Sequence, residues 1–230
     1  MTATWDLNAP SQRRYTHGAI FLHWTIAALI LFNLMTGFFH HSLPRLAITI
    51  HISSGITILI LSVVRIVWRL THRPPPFPAS MHAWERALAH VVHFCFYAAM
   101  LLVPFSGWAM ISTNPPLGSP GAAYADSLRK PQPMAEGAGH EEQPKKGPTM
   151  VWWAVQLPMI KPLQELGRTP EGVPAQRAKR KQIGEVHEAG GWLLLILLLL
   201  HVGGALKHQF LDGEAEFARM GLGRRLAKRG

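Results

Sequence analysis

Four histidines stand in apolar segments at positions that could place metal ligands at two levels of a helical protein. His187 and His201 are 14 residues apart in the last apolar segment, and 14 steps of about 100° fall only about 40° short of four helical turns. Both imidazoles therefore point to the same side of a helix, roughly 21 Å apart along its axis. His23 and His51 occupy two earlier apolar segments, near what should be opposite ends of the protein.

Histidines at two levels are suited to two metal cofactors. Neutral imidazole is a normal axial ligand of haem iron, and the cores of helix bundles hold such cofactors. The spacing pairs His51 with His187 at the outer level and His23 with His201 at the inner level. Placing an ionisable side chain inside a membrane costs free energy. This cost favours a functional role for these histidines over the alternative, a polar residue whose hydrogen bonds are merely satisfied. We therefore predict two haem b groups, each with a histidine pair as its iron ligands.

Four apolar runs must position these histidines. Only 16% of the residues are charged, below the roughly 25% that is usual for soluble domains. Each run is long enough to cross a bilayer core of about 30 Å. We predict an all-α integral membrane four-helix bundle, a single domain over residues 1–230, with an extracytoplasmic insertion at 113–186 between the third and fourth helices. The predicted spans are about Gly18–Phe39, Thr49–Leu70, Ala87–Ile111 and Gly190–Phe210.

The distribution of basic residues predicts which side of the membrane each end occupies. Arg45 is the only Lys or Arg between the first two runs, whereas Arg65, Arg69, Arg73 and Arg86 lie near or beyond the end of the second run. Cytoplasmic connections carry the excess of Lys and Arg, although long loops cross the membrane largely regardless of charge. We therefore expect both termini in the cytoplasm and the long connection outside.

The long connection is the extramembrane part of the chain. Its proline-rich beginning and the segment Glu136–Gly147 have the composition of a flexible segment. Trp152 and Trp153 indicate either an aromatic anchor at the lipid headgroups or a small core within the loop. A basic cluster that runs from Arg177 to Lys181 would steer a small anion toward the outer site, because surfaces of one charge sign raise encounter rates.

Composition also excludes several classes of site. Cys95 is the only cysteine, which rules out a disulfide framework and an iron–sulfur cluster held by thiolates. The chain lacks the Cys-x-x-Cys-His sequence that attaches c-type haem. The net charge of +10 does not indicate nucleic acid as a partner, because the basic residues stand at helix ends and in loops without a nucleic-acid motif.

Further residues share the faces of the four histidines. Arg65 and Arg69 follow His51 by 14 and 18 residues, so they lie on its face at the inner level. They could bind haem propionates, or extend their charged ends to the membrane surface. His93 and His208 lie near the inner pair, where we expect a quinone site. Glycines near three of the histidines leave room for a porphyrin or allow close helix packing: Gly55, Gly190, Gly191, Gly203 and Gly204.

With these residues in view, the chain resembles the bacterial cytochrome b561 family, which includes the di-haem superoxide oxidases. The resemblance extends over all four helices, in order. It implies the same four axial ligands, electron transfer across the bacterial inner (cytoplasmic) membrane, and contacts with membrane lipid and quinone. It is carried by Phe21-Leu-His-Trp24, Ile50-His-Ile-Ser-Ser-Gly-Ile56, Val63-Val-Arg-Ile66, Leu88-Ala-His-Val-Val-His93, Val186-His-Glu188, Leu200-His201 and Lys207-His208.

Two functions are consistent with this resemblance. The first is an oxidoreductase that oxidises superoxide, or another small reductant, at the outer haem and reduces ubiquinone at the inner side. The second is a cytochrome b anchor subunit that passes electrons between a partner dehydrogenase or hydrogenase and the quinone pool. The connection at 113–186, which compact members of the family lack, leaves the electron donor open.

Overall fold

The computed structural model describes residues 14–78, 81–128, 147–214 and 216–222, and the described chain is predominantly helical. Four of its helices are long and apolar enough to cross a membrane. The prediction of an all-α protein with four membrane-spanning helices is therefore confirmed. The helices are α1 (His17–Phe38), α2 (Arg45–Thr71), α3 (Ala83–Ser112), α4 (Pro120–Ser127), α5 (Lys161–Glu165), α6 (Val173–Phe210) and α7 (Glu216–Arg219).

Large apolar side chains on the long helices are exposed, as a lipid environment requires. Phe21, Leu70, Phe94 and Leu199 are all more than 60% exposed. A water-soluble protein rarely leaves so many large apolar side chains uncovered, because each adds to the contiguous apolar surface exposed to water. The four long helices are thus α1, α2, α3 and α6, and their outer faces suit hydrocarbon.

Helix α6 begins at Val173, well before the apolar run Gly190–Phe210 that was expected to bound it. The last fourteen residues of the segment 113–186, expected to be an insertion, therefore belong to α6. Pro174 stands in the first turn, where the missing N–H breaks no helical hydrogen bond. The residues that follow are mostly Ala, Arg, Lys and Gln, which are good helix formers. Hydropathy marks only the apolar part of a helix and misses such an extension.

The rest of the connection contains short elements. Ser119 caps α4 by accepting a hydrogen bond from the Ala122 N–H, and an antiparallel hairpin pairs β1 (Met150–Val151) with β2 (Val155–Gln156). The hairpin turn holds Trp152 and Trp153, both with positive φ and about half exposed. This exposure argues against a small core around them. Most of the segment Glu136–Gly147, expected to be flexible, lies outside the described residues.

The chain divides into two compact units, and each holds one of the expected histidine pairs. The His23 unit comprises Met1–Phe38, Thr57–Leu102 and Gly190–Gly230. The His51 unit comprises Phe39–Ile56 and Val103–Ala189. Helices α2, α3 and α6 contribute residues to both units.

Each unit has its own interior. In the His23 unit the buried side chains of Ile26, Ile30, Ile58 and Met100 form an apolar core. In the His51 unit the connection is fastened to α3, since the Ser112 Oγ accepts a hydrogen bond from the Ile160 N–H at 3.1 Å. Such bonds satisfy backbone groups of irregular segments, which are costly to leave unpaired when water is excluded.

Candidate functional site

The structure brings the four histidines together in the two expected pairs. The ring centroids of His23 and His201 are 6.1 Å apart in the His23 unit. Those of His51 and His187 are 6.2 Å apart in the His51 unit. The two separations are nearly the same, although α6 meets α1 in the first pair and α2 in the second.

This separation suits two imidazoles on opposite sides of one metal ion. A bond from a metal to an imidazole nitrogen is about 2 Å, and the ring centre lies about 1.1 Å further, which gives about 6.2 Å between the ring centroids. Both pairs match that value. The residues present therefore fit a group whose metal takes one histidine ligand from each side, as haem iron does.

A third histidine, His93, stands beside the inner pair. Its ring centroid is 5.3 Å from that of His201, shorter than two ligands of one metal would give. Its Nδ1 is 2.6 Å from the Ala89 carbonyl oxygen, one helical turn earlier. A carbonyl only accepts, so the hydrogen is on Nδ1 and the Nε2 lone pair is available to another group. His93 therefore suits a neighbour of the inner group rather than a ligand.

A cavity adjoins the inner pair. Polar groups line one part of its wall, and aliphatic and aromatic side chains line the rest. Such a mixture, mostly apolar with a few converging polar groups, is typical of cofactor and small-molecule sites. The lining residues are His23, Ile26, Ala27, Ile30, Arg65, His93, Phe96, Tyr97, Met100, Leu198 and His201.

Arg65 is the cation of this cavity. Its Nη2 is 3.2 Å from the His23 Nδ1, and among the described residues its buried Nη1 has no hydrogen-bond partner. A guanidinium only donates, so it leaves the His23 hydrogen on Nε2. Binding of a metal through Nε2 requires Arg65 to release the ring, which frees its donors for an anion. Arg69, one turn further, is exposed and does not line the cavity.

His187, in the outer pair, is held by α3. Its Nδ1 is 3.0 Å from the Val103 carbonyl oxygen and 3.1 Å from the Ser106 Oγ. Because the carbonyl only accepts, the hydrogen is on Nδ1 and the Nε2 lone pair is available for a metal. This arrangement is typical of metal-binding histidines, whose other ring nitrogen donates to an oxygen.

His208 belongs to a charged cluster and does not line the cavity. Its Nδ1 is 2.6 Å from the Asp212 Oδ2, and the Lys207 Nζ is 2.8 Å from that oxygen and 2.7 Å from the Glu85 Oε1. Glu85, His208 and Asp212 have the ligand types of a metal site. The Lys207 ammonium, however, already supplies the positive charge between the carboxylates. Its hydrogen bond is the main cause that lowers the pKa of Asp212.

The basic cluster on α6 is split between two roles. Arg180 donates to the Met110 carbonyl oxygen at 3.0 Å and to the Asn114 Oδ1 at 3.2 Å, which joins the start of α6 to the end of α3. Arg177, Lys179 and Lys181 are exposed. Arg180 therefore has a structural role, and the exposed three form the cationic surface.

Helix α6 leaves open space near its histidines. A Cβ atom added at Gly191, Gly203 or Gly204 meets no atom within 4 Å. Among the described residues these glycines therefore do not serve close packing between helices. This favours the other explanation for them, that they leave room for a planar group such as a porphyrin.

Two features of the sites were not predicted from the sequence. One is the carbonyl of Val103, a backbone group that no residue type marks in the sequence. The other is Glu85, a carboxylate only 7% exposed in the first turn of α3. An acidic residue so close to an apolar run indicates a partner, and that partner is Lys207.

Comparisons with known proteins agree with this geometry. The family model of the prokaryotic cytochrome b561 matches residues 14–223, nearly the whole chain. A probable superoxide oxidase, CybB, of Yersinia pestis is 29% identical over 103 residues. That match covers 43% of this chain and 58% of the relative, so the chain spans little more than half of the relative's length. The chain belongs to the prokaryotic cytochrome b561 family and is a multi-pass membrane protein that binds b-type haem.

Proposed function

We propose that this chain is a di-haem b-type cytochrome that oxidises superoxide outside the bacterial inner membrane and reduces quinone at the inner side. The observation that carries the proposal is the pair of matched histidine sites, one in each unit, with ring separations of 6.1 and 6.2 Å. The superoxide oxidase among the relatives supports the choice of donor. Haem b supplies a one-electron couple at each site.

The axial ligands in this proposal are His51 and His187 at the outer site and His23 and His201 at the inner site. Helix α6 provides one ligand to each site, with an uninterrupted helical segment between them. The Val103 carbonyl holds His187 with its Nε2 lone pair available. At the inner site Arg65 would hold a haem propionate, which would satisfy the Nη1 that has no partner among the described residues.

The net reaction requires different chemistry on the two sides. Superoxide needs only to lose one electron to become dioxygen, so the outer site needs no acid or base. A quinone needs two electrons and two protons to become a quinol. Two superoxide ions are therefore consumed for each quinone reduced, and the inner side must supply two protons.

In this proposal, histidines of the His23 unit supply the protons. His93 lines the inner cavity with its Nε2 lone pair available, so it can take up a proton on Nε2 and then donate it to a quinone oxygen. His208, bound to Asp212, lies near the end of α6 and suits the uptake of protons from the inner surface. The cytoplasmic location of both termini belongs to the same proposal, and the basic residues around the α2–α3 connection support it.

The proposal is tested on purified protein in detergent and in vesicles. A pyridine haemochrome assay should return about two haem b per chain. A superoxide source should reduce the haem and then form one quinol for every two superoxide ions in the presence of a soluble quinone. A haem-saturated preparation with one haem or none would overturn the architecture.

The second candidate function is that of an anchor subunit for a dehydrogenase or hydrogenase. The structured connection of the His51 unit, with α4, the hairpin and α5, favours it as an available docking surface. Two results together would favour this function over the first. Superoxide would fail to reduce the haem, and a large partner protein would co-purify in a stoichiometric amount.

The exposed cations of α6 should accelerate the reaction with superoxide. Replacing Arg177, Lys179 and Lys181 with Gln should slow haem reduction several-fold at low salt, because the anion is no longer steered. The difference should fade as the ionic strength rises, since exposed charges are screened over about 8 Å at physiological salt. Stopped-flow mixing at several salt concentrations measures it.

Arg180 is left intact in that variant because it ties α6 to α3, and Lys161→Gln is the control for an exposed cation outside the cluster. Haem content should stay the same in both variants. A rate that responds neither to the three substitutions nor to salt contradicts steering by this surface.

Arg65 should determine how firmly the inner haem is held. Arg65→Gln removes the cation for the propionate, so we expect about tenfold weaker retention of one haem, in the range usual for residues that support a metal site. Arg65→Lys, which keeps a charge but not the forked donors, should be intermediate. Haem transfer to apomyoglobin measures retention. Arg69→Gln is the matched control, and equal losses in the two Gln variants would contradict a specific role of Arg65.

A further inference from the structure

A proline in α3 stands next to the group that holds His187. Pro104 lies inside the helix, has no N–H and disturbs the turn around it. Here the Val103 carbonyl oxygen receives the Ser106 hydroxyl at 2.7 Å and the His187 Nδ1 at 3.0 Å.

The three groups fit only one arrangement of hydrogens. The Ser106 hydroxyl donates its hydrogen to the Val103 carbonyl, so its oxygen can accept a share of the His187 Nδ1–H at 3.1 Å. The same N–H is directed at the carbonyl. Two oxygens of α3 therefore fix both the tautomer and the rotation of the His187 ring.

Gly107 makes this contact possible. A Cβ atom at position 107 would stand 3.0 Å from the His187 Cε1 and 3.4 Å from its Nδ1. The first distance is shorter than nearly all contacts of real Cβ atoms. A side chain at position 107 therefore requires the His187 ring to shift by a few tenths of an ångström, which changes its hydrogen bond with the Val103 carbonyl.

We propose that Val103, Ser106 and Gly107 are the positioning residues of His187 and lower the reduction potential of its haem relative to a site without them. The inference rests on the proposed role of His187 as an axial ligand. An Nδ1–H that donates to a carbonyl makes the imidazole a stronger electron donor. A stronger donor favours the oxidised metal, so a weakened hydrogen bond raises the potential of that haem alone.

The test uses Gly107→Ala and Ser106→Ala in the purified, haem-loaded protein. Gly107→Ala should raise the reduction potential of one of the two haem components in a redox titration by up to about 59 mV. For a one-electron couple, that shift is a tenfold change in the distribution of electrons between the haems. It should also alter the low-spin ferric EPR signal of that component. Ser106→Ala should cause a smaller shift, because the Val103 carbonyl remains.

Two controls separate positioning from general damage. Ser106→Thr retains the hydroxyl and should restore the potential. Gly184→Ala is the same exchange on α6, where the new Cβ atom meets only the Met110 Sδ at 3.5 Å, an ordinary contact. It should leave both components unchanged.

The outcomes also separate this inference from the function on which it rests. If His187→Ala retains both haems, the proposed ligand is wrong. If His187→Ala loses one haem but Gly107→Ala and Ser106→Ala leave both potentials and both EPR signals unchanged, only the positioning role is overturned.

Discussion

Replacement of His187 or His201 with alanine is expected to remove one haem in each case and to leave the other in place. In the proposed architecture each of these histidines supplies one of two axial ligands, and the two pairs lie in different compact units. Loss of an axial ligand at one pair should therefore not disturb the other. The haem content of each single variant should fall by about half, and that of the double variant to nearly none.

The measurement is a pyridine haemochrome assay per mole of chain, with the reduced-minus-oxidised spectrum to show which component remains. His90→Ala is the matched control, because His90 lies on α3 against Phe77 and outside both pairs. His93→Ala tests the assignment of the inner pair. If it removes a haem while His23→Ala retains both, the inner ligands are His93 and His201.

The long helices and the histidine pairs could be predicted because both follow from simple periodicities. Runs of about twenty apolar residues define membrane spans by length alone, and three of the four helices agree with the expected ends within a few residues. Helical rise and rotation place a residue at a level and on a face. The level of each histidine along its helix and the side of the helix on which it lies were enough to predict which histidines form pairs.

The contacts that determine ring orientation could not be predicted in this way. Rise and rotation within one helix say nothing about which atoms of a neighbouring helix a side chain reaches. The contact of Arg65 with His23 and that of His187 with the Val103 carbonyl depend on such interhelical placement. The Val103 contact moreover uses a backbone oxygen, which every residue has, so no residue type marks it in advance.

The start of α6 and the cluster around Lys207 were missed for a different reason. Hydropathy detects apolar segments and is insensitive to polar residues that continue a helix, as those after Val173 do. It is equally insensitive to opposite charges that neutralise each other across helix ends. Glu85 and Asp212 both bind Lys207, although Glu85 is far from the other two in the sequence.

The electron path should respond in opposite ways to the loss of the two sites. His51→Ala, which lacks a proposed ligand of the outer haem, should reduce superoxide-driven quinol formation to the background rate, because the proposed site of electron entry is lost. The inner site remains intact in this variant, since His23 and His201 are unchanged. An excess of quinol should therefore still reduce its remaining haem at the rate seen in the unmodified protein.

His23→Ala should behave in the reverse manner. Superoxide should still reduce the remaining haem, because His51 and His187 are retained, but quinol should not reduce it and no quinol should form. Anaerobic stopped-flow spectroscopy with each reductant, applied to both variants, gives four rates that fix the direction of the path. If quinol reduces the haem of His23→Ala but not that of His51→Ala, quinone reacts at the His51–His187 site and the proposed direction is reversed. If superoxide reduces neither variant nor the unmodified protein, the donor is a partner protein, and the connection between α3 and α6 becomes its expected docking surface.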